Sequence, residues 1–455
     1  MAIDRREFLK RGIAFVAAGS VMPAVFVRAA YATDNNGSAS ASTNSNRTLV
    51  VLQMAGGNDG FNTVIPYTDP NYARLRPTLG IAASSVLDLD GKLGLHPSLA
   101  GLKTLYDRGR VAIVNGVGYP QANLSHFRSM QIWHTAEPVA SRFTGWIGGY
   151  LDETANESNS LWRAVNVGSS LPISLLSNGS FVPAISSIAS YQLTTDTKYP
   201  KDHANKLHAW AALYADAASE PGLAAFVGNA GSQAYTSSVE LQSIAGSYTP
   251  MATYPANALA SALKLAAQLI TSSLGTGVIY ITTGGFDTHS QELADHAALM
   301  SILGGSLAAF YADIEAHGKA NDTLLMTWSE FGRRPAQNAS IGSDHGTAGP
   351  QFVLGGAVKG GLYGGYPSLT SLDASGNFVF TTDFRQTYAT VLEDWLGADS
   401  KPVLGATFTK LGFVAAGTVP TPAPGGTGPQ PAPPFGSPGR AGLTPRGVIP
   451  GIASR

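Results

Sequence analysis

Three short apolar segments, each ending in glycine and polar residues, constrain the fold of this chain more than any other feature. Residues 49–60 read LVVLQMAGGNDG, residues 278–289 read VIYITTGGFDTH, and residues 323–334 read TLLMTWSEFGRR. Apolar runs of this length, bounded by glycine, are typical of buried strands in a parallel sheet. Because ligand sites in open α/β sheets lie just past the carboxyl ends of the strands, these polar residues predict a site at one edge of a sheet.

Segments with apolar residues at helical spacing separate the predicted strands. Helices are predicted over 97–108, 201–217, 255–273, 289–317 and 384–396, and further strands over 110–117 and 351–354. Strands that alternate with helices in this way predict an α/β domain, with a mostly parallel central sheet covered by helices on both faces. The formal net charge of −1 and the 13% of charged residues provide no basic stripe for nucleic acid.

Both ends of the chain are interpreted as lying outside the folded domain. Residues 1–32 contain RREFLK, an apolar run and a small-x-small cleavage signal, which is typical of a twin-arginine signal peptide. That leader predicts engagement of the twin-arginine (Tat) translocase, a periplasmic or secreted location, and no stable membrane span. Residues 33–46 are interpreted as a flexible linker, 47–416 as a single domain, and 417–455 as a disordered tail rich in proline and glycine.

The acids and histidines at the predicted strand ends are candidate metal ligands. Asp287 and His289 alternate in an extended segment, so both side chains can point at one ion. Carboxylate oxygen and imidazole nitrogen are ordinary ligands of zinc or manganese. Asp344 and His345, flanked by glycines, form a second pair of this kind, with a simple turn as the alternative.

Two further strand ends carry acids whose interpretation remains open. Asn58 and Asp59 either bind a metal or form an ordinary turn, because Asn-Asp-Gly is a common turn sequence. Glu330 ends a buried run, where an unpaired carboxylate would be costly. Either a metal or an ion pair with Arg333 or Arg334 would satisfy it.

A predicted helix N-terminus supplies the candidate catalytic residues. Ser125 precedes His126 at the start of that helix, where the backbone N–H groups favour an anion such as phosphate or sulfate. Ser125 is thus either a nucleophile or an ordinary N-cap. Arg128 and Arg385 are candidates to hold an oxygen of such an anion through a bidentate contact.

These motifs together resemble the exported bacterial family called domain of unknown function 1501. The resemblance extends from the leader to about residue 397. Its motifs are AGGNDG at 55–60, SHF at 125–127, GGFDTH at 284–289, SEFGR at 329–333, SDHG at 343–346 and DFRQ at 383–386.

That family is in turn similar to the alkaline phosphatase and sulfatase superfamily, which implies an alkaline phosphatase-like fold with two metal ions at the strand ends. The resemblance implies that Asp287 and His289 bind the first metal, that Asp59 binds the second, and that Ser125 is the nucleophile. Glu330 falls where the superfamily has an Asp-His pair, and His345 where it has a later single histidine.

Two departures from the superfamily pattern matter. Glu-Phe replaces Asp-His at 330–331, and His289 follows its aspartate at closer spacing than usual. An alternative alignment places Asp344 and His345 on the Asp-His motif, but no histidine follows them.

We therefore expect a hydrolase of phosphate or sulfate esters that depends on one or two divalent metal ions, with Zn, Mn or Ca as candidates. Its substrate would be a small-molecule or glycan ester. The alternative is a non-catalytic periplasmic binding or cell-envelope protein that retains the fold.

Overall fold

The computed structural model describes residues 47–140, 142–155, 160–193 and 199–415. The predicted signal peptide, linker and tail lie outside these residues, so their proposed boundaries remain predictions. The strands, in chain order, are β1 Thr48–Met54, β2 Val64–Ile65, β3 Leu87–Asp88, β4 Gly94–Leu95, β5 Val111–Gly118, β6 Ala164–Val167, β7 Ala184–Ile185, β8 Val278–Thr283, β9 Thr323–Trp328, β10 Arg333–Gln337, β11 Ser343–His345, β12 Gly349–Gly355, β13 Gly361–Tyr363 and β14 Thr382–Asp383.

Nine of these strands form one central sheet in the order β13-β5-β12-β9-β1-β8-β6-β7, with β14 also paired to β5. Within the described sheet, β12 runs antiparallel to its two neighbours and all other pairs are parallel. The prediction of a mostly parallel sheet is therefore confirmed. Two smaller sheets, β10-β11 and β2-β4-β3, lie outside it.

The helices fill the connections between the strands. The helix predicted over 97–108 begins with a 3₁₀ turn at Pro97–Leu99, and the closing helix ends in a π-helical turn at Val391–Trp395. The helix Leu223–Ser243 was missed by the sequence analysis. The α-helices are α1 Gly60–Thr63, α2 Pro70–Leu75, α3 Ala100–Asp107, α4 His126–Thr135, α5 Trp146–Glu153, α6 Pro200–Ala218, α7 Leu223–Ser243, α8 Ala258–Thr271, α9 Glu292–Ala316, α10 Phe384–Thr390 and α11 Ser400–Leu404.

Alternate residues of each central strand enter two separate cores. In β1, Val50 and Leu52 pack in one core, whereas Leu49 and Val51 pack in the other. Helices α3, α8 and α9 cover the first face, and α4, α5, α10 and α11 cover the second. Because burial of one such side chain contributes about 1.5–3 kcal/mol, losing either layer would cost far more than the net stability of a domain. Helices on both faces are therefore confirmed.

The long helix α9 packs as a core helix. By length and composition alone it is apolar enough to cross a membrane, and it is the single helix of the described residues that passes this test. Its residues Leu303, Leu307 and Phe310 are buried against α8 and the sheet. Over half of its apolar window is covered by the protein, so its composition is accounted for by this packing.

The parallel strands bring several loops to one edge of the sheet. β1, β8 and β9 are neighbours that run in the same direction, so their carboxyl ends lie side by side. Gly56, with φ +125°, allows the loop after β1 to approach the loop after β8, since a Cβ there would lie 2.5 Å from the backbone nitrogen of Asp287. Gly342 does the same between β11 and His289, where a Cβ would lie 2.2 Å from the carbonyl carbon. These close approaches assemble the candidate site.

Candidate metal centre

Three histidines surround Asp287 at this edge of the sheet. Asp287 and His289 lie in the loop after β8, His345 is the last residue of β11, and His126 is the first residue of α4. Asp287 Oδ1 lies 3.0 Å from His289 Nε2 and 3.2 Å from His345 Nε2, and Oδ2 lies 3.5 Å from His126 Nε2. The potential ligand atoms of His126, Asp287 and His345 all lie within 4.8 Å of one another. We call these four residues the His–Asp cluster.

The outer nitrogen of each histidine has an acceptor of its own. His126 Nδ1 is 2.8 Å from Glu330 Oε1, and His345 Nδ1 is 2.8 Å from the carbonyl oxygen of Leu124. Because a carboxylate and a carbonyl can only accept, both Nδ1 atoms donate, and the neutral rings then present bare Nε2 lone pairs to the cluster. This carboxylate– or carbonyl–histidine arrangement is the one that holds metal-binding histidines in proteins.

His289 joins the cluster through close contact with His345. Their Nε2 atoms are 2.9 Å apart, and His289 Nδ1 lies 3.3 Å from Asp344 Oδ1. Two ring nitrogens at this distance require a shared proton or a shared cation, because two bare lone pairs would repel each other. Asp344 also accepts a hydrogen bond from Asn338. In this arrangement Asp344 orients His289 from the outside.

Arg333 fixes the central carboxylate from the buried side. Its Nη2 donates to Asp287 Oδ1 at 2.7 Å and to the carbonyl of Phe286, and its other nitrogens donate to the carbonyls of Gly57 and Ser343. Burial opposes the charge on Asp287, but the hydrogen bond and the positive charge of Arg333 outweigh it, and the pKa of Asp287 is lowered to about 2. Asp287 is therefore anionic at any physiological pH, with Oδ2 directed towards His126.

The wall of the cluster is partly apolar. The ring of Phe331 packs 4.9 Å from that of His126 and 4.4 Å from that of His345, measured between centroids. Burial lowers the pKa of His345 below its ordinary value, which keeps the ring neutral at neutral pH. A neutral imidazole beside a carboxylate is the protonation state that a divalent cation requires.

Glu330 was predicted to bind either a metal or an arginine, and the structure shows other partners. Its carboxylate is fully buried and accepts the backbone N–H of Gly56 at 2.8 Å as well as His126 Nδ1. The alternative of an ion pair with Arg333 or Arg334 is not what the structure contains, because Arg333 pairs with Asp287 instead. Glu330 thus orients a histidine from behind, and its second oxygen receives only a long contact, 3.4 Å, from Ser329 Oγ.

Asn58 and Asp59 are placed in a separate buried cluster. Both carboxylate oxygens of Asp59 pair with Arg76, at 2.8 and 2.9 Å, and Oδ1 also caps α1. The amide of Asn58 contacts Thr63 and His296. Among the described contacts, none joins either side chain to the His–Asp cluster. The geometry therefore corrects the assignment of Asn58 and Asp59 as metal ligands. Arg76 already binds both carboxylate oxygens of Asp59.

The acids of this second cluster share one positive charge. Glu292 Oε1 lies 3.5 Å from Arg76 Nη1, and Glu292 also accepts a hydrogen bond from Ser343. Burial, together with the charge on Asp59, raises the pKa of Glu292 above its ordinary value. Arg76 outweighs the effect of burial on Asp59 and lowers its pKa. We call Asp59, Arg76 and Glu292 the arginine–acid cluster.

The predicted catalytic residues have divided outcomes. Ser125 is exposed at the N-cap of α4, its side chain makes no capping hydrogen bond, and His126 follows it directly. Arg128 is bound to the carbonyls of Pro138 and Ala140, and Arg385 pairs with Asp383. Both arginines thus have partners within the fold, and their contact with a substrate oxygen remains a prediction.

Arg333 is the arginine that contacts the His–Asp cluster, whereas the sequence had suggested it only as a partner for Glu330. One signal could have indicated it: in a chain with few charges, Arg333 lies three residues beyond a strand-end acid, where the backbone passes the same edge of the sheet. His126 was expected to be catalytic, and the structure places it among the candidate ligands.

The comparisons with solved structures return distant matches. The C-terminal periplasmic domain of EcEptC from Escherichia coli, in complex with Zn, matches at 9% identity over 68% of this chain and 73% of that one, with a TM-score of 0.33. The sulfatase PsFucS1 from Pseudoalteromonas sp. matches at 11% identity over 71% and 66%, with a TM-score of 0.31. The phosphonate monoester hydrolase of Agrobacterium radiobacter matches at 11% identity over 80% and 78%, with a TM-score of 0.33.

At these TM-scores the likeness assigns neither activity nor ligand to this chain. No curated protein matches its sequence. The family model described as "Protein of unknown function (DUF1501)" matches residues 118–399, which is more than half of the chain. Those residues include all four members of the His–Asp cluster. The chain belongs to the DUF1501 family.

Proposed function

We propose that this protein is an exported, metal-dependent hydrolase of phosphate or sulfate esters, and that its metal centre is the His–Asp cluster. The observation that carries the proposal is the donor set. Two histidines donate their Nδ1 protons to oxygen acceptors, so their Nε2 lone pairs face the carboxylate of Asp287, whose charge Arg333 stabilises. The residues present therefore fit a divalent cation: His126, Asp287 and His345 would hold it, and His289 adjoins them.

The donor types narrow the choice of metal. Imidazole nitrogens with one carboxylate oxygen suit zinc or manganese, whereas calcium prefers six to eight oxygen ligands. Calcium is accordingly the weakest of the three candidates. We further propose one ion rather than two, because Arg76 already neutralises Asp59 in the arginine–acid cluster.

A bound cation would polarise the ester and make a coordinated hydroxyl a stronger nucleophile. The chain supplies the remaining parts. The N-terminus of α4, with its unpaired backbone N–H groups and positive dipole end, favours the anionic group of the ester. Ser125, exposed at that N-terminus beside His126, is the proposed nucleophile. Arg333 holds Asp287 in its orientation and Glu330 holds His126.

Metal binding is the direct test. The mature protein would be stripped with chelator, dialysed against zinc or manganese, and its metal content measured by mass spectrometry. We expect one ion per chain, and loss of that ion in Asp287→Ala. Asp344→Asn is the matched control, since this exposed acid contacts His289 from outside and should retain the ion. Absence of bound metal at neutral pH in the unaltered protein would refute the proposal.

Activity is measured separately on the metal-loaded protein, with aryl phosphates and aryl sulfates as substrates. Ser125→Ala should abolish turnover while leaving the metal content unchanged. A protein that binds its ion but turns over neither ester class would instead be the non-catalytic periplasmic or cell-envelope binding protein considered as the alternative.

Export through the twin-arginine pathway belongs to the same proposal and rests on residues 1–32. Replacement of Arg5 and Arg6 by lysine should retain the protein in the cytoplasm, as judged by cell fractionation. Periplasmic accumulation of that variant would contradict the twin-arginine route.

A further inference from the structure

The hydroxyl of Tyr119 is a buried polar group near the site that the proposed function leaves unused. Tyr119 directly follows β5, is 2% exposed, and packs its ring against that of Phe384, with the centroids 5.9 Å apart. Its hydroxyl lies 2.8 Å from Ser129 Oγ and accepts the backbone N–H of Asn123 at 3.0 Å. Because a buried hydroxyl is costly unless it is hydrogen-bonded, these contacts hold Asn123 and Ser129 to one point.

The hydrogen bonds at this hydroxyl run in one direction. Ser129 Oγ donates to the backbone carbonyl of Glu330, and a carbonyl can only accept. Since serine has one hydroxyl proton, the contact between Tyr119 and Ser129 uses the proton of the tyrosine. A longer contact, 3.4 Å, joins the same hydroxyl to the carbonyl of Asn123. We call the run from the Asn123 N–H through Tyr119 and Ser129 to the Glu330 carbonyl the hydroxyl chain.

One end of the hydroxyl chain lies beside the group that holds His345. Asn123 Oδ1 accepts the backbone N–H of Ser125 at 2.9 Å, which fixes the turn that these two residues enclose. The carbonyl of Leu124, in the middle of that turn, accepts His345 Nδ1 at 2.8 Å. Anchoring Asn123 therefore places the carbonyl of Leu124, and with it the ring of His345.

The other end of the hydroxyl chain is the backbone of the residue that holds His126. Glu330 Oε1 lies 2.8 Å from His126 Nδ1. Ser129 belongs to the first turn of α4, as His126 does, so its hydroxyl ties this turn to Glu330. The rings of His126 and His345 are nearly perpendicular, with centroids 4.5 Å apart. The supports of the two rings are thus joined to each other through one tyrosine hydroxyl.

We infer that Tyr119 is a positioning residue of the metal centre, whose hydroxyl sets the relative placement of His126 and His345. Among the described contacts, none joins Tyr119 to the His–Asp cluster itself, so it acts through Leu124 and Glu330. Ligands that are already placed lose less freedom when they bind an ion, so the expected effect is on affinity. The inference rests on the proposed function for its metal, whereas the placement of the rings can be measured without one.

Tyr119→Phe removes one oxygen and retains the ring that packs on Phe384. Zinc affinity would be measured by competition with a coloured chelator, and the visible spectrum recorded after loading with cobalt(II), whose bands report ligand geometry. We expect the cobalt bands to shift and zinc affinity to fall about tenfold, the lower end of the range for groups behind a metal-binding histidine. Tyr191→Phe is the matched control, because it removes a similar contact, 2.9 Å between the Tyr191 hydroxyl and Ser237 Oγ. It should retain the affinity and the spectrum.

Nitrogen-15 spectra of the metal-free protein, labelled in histidine, test the placement without any ion. In the parent, His126 and His345 should each carry a proton on Nδ1. Tyr119→Phe should mix the two tautomers at both rings, whereas Tyr191→Phe should not. Ser129→Ala should act as Tyr119→Phe does, and the double variant should be no more impaired than either single one, because both changes interrupt the same chain.

The outcomes separate the two proposals. If the parent binds zinc and Tyr119→Phe binds it equally well, the inference is overturned and the proposed function stands. If the parent binds no metal, the proposed function fails, and the nitrogen-15 spectra decide the inference. It then holds if Tyr119→Phe changes the tautomers of both rings, and it fails if either ring is unaffected. Equal losses of affinity in Tyr119→Phe and Tyr191→Phe would indicate general destabilisation and would also overturn the inference.

Discussion

The arginine–acid cluster and the His–Asp cluster differ in which groups contact the central carboxylate. In the arginine–acid cluster, both oxygens of Asp59 pair with the buried guanidinium of Arg76. In the His–Asp cluster, Arg333 takes one oxygen of Asp287, while the other faces His126 at 3.5 Å. The first carboxylate is saturated and enclosed, whereas the second keeps an oxygen and neighbouring imidazoles available. Similar strand-end sequences have thus produced a structural ion pair in one place and a candidate metal centre in the other.

The largest expected effect comes from removing the counter-charge of the arginine–acid cluster. Arg76→Met would leave the fully buried Asp59 without its counter-charge, and we expect the free energy of unfolding to fall by about 3–5 kcal/mol. Urea titration followed by circular dichroism measures it. Adding Asp59→Leu should recover part of the loss, because it removes the orphaned charge. A single variant as stable as the parent would show that Arg76 does not neutralise Asp59.

The second prediction concerns the pH dependence of stability that arises beside the arginine–acid cluster. Burial lowers the pKa of His296, beside the arginine–acid cluster, to about 4. Between its ordinary pKa of 6.5 and this value the unfolded chain binds the proton and the folded one does not. Stability from this residue is therefore present above about pH 6.5 and lost as the pH falls towards 4, by up to about 3 kcal/mol.

Urea midpoints at a series of pH values would measure that loss, and His296→Gln should reduce it. His317, which lies outside both clusters at the end of α9, provides the control substitution. Equal slopes in the parent and His296→Gln would contradict the prediction.

The third prediction concerns zinc binding by the His–Asp cluster. Asp287→Asn should weaken zinc binding by more than about 100-fold, because it removes the one carboxylate that all three histidines approach. Competition with a coloured zinc chelator measures the affinity. Asp59→Asn is the control. We expect this substitution to leave the zinc affinity unchanged, provided that the variant remains folded. Loss of zinc in Asp59→Asn but not in Asp287→Asn would reverse the assignment of the two clusters.

The smallest expected effect tests orientation. Glu330→Gln retains shape and can still accept from Gly56, but it weakens the hold on His126 Nδ1. We expect zinc affinity to fall by about 10–100-fold, as is usual when a group behind a metal-binding histidine is altered. The same chelator competition applies. A fall as large as that of Asp287→Asn would instead indicate that Glu330 binds the ion directly.

Local sequence was sufficient for the parts of the fold that depend on local pattern. Apolar runs bounded by glycine predicted β1, β5, β8 and β9 within a residue or so, because a strand buried on both faces needs an uninterrupted apolar segment. Strand-end acids and histidines, Asp59, Asp287, His289 and His345, were expected to meet at one edge of the sheet. Asp287, His289 and His345 do meet, whereas Asp59 pairs with Arg76 instead, and the binding of a metal remains a proposal.

The partners of the acids were beyond local sequence. Asp59 finds Arg76 seventeen residues later, and Glu330 finds His126 across 204 positions, so the identity of each counter-charge depends on long-range packing. The motif Asn-Asp-Gly is the same whether the acid caps a helix or binds an ion. The partners of Arg128 and Arg385 were equally beyond it, since Arg128 binds backbone carbonyls and Arg385 pairs with the side chain of Asp383. Their contact with a substrate oxygen remains a prediction.

The reach of Arg333 along the polypeptide has a consequence for biogenesis. Its guanidinium contacts carbonyl groups up to 277 positions away, joining the segments that follow β1 and β8 to its own. No fragment shorter than most of the domain contains every piece of the centre. The ribosome must therefore synthesise the chain at least as far as His345 before these pieces can assemble. Under the proposed function, a retained metal ion would report that this assembly has taken place.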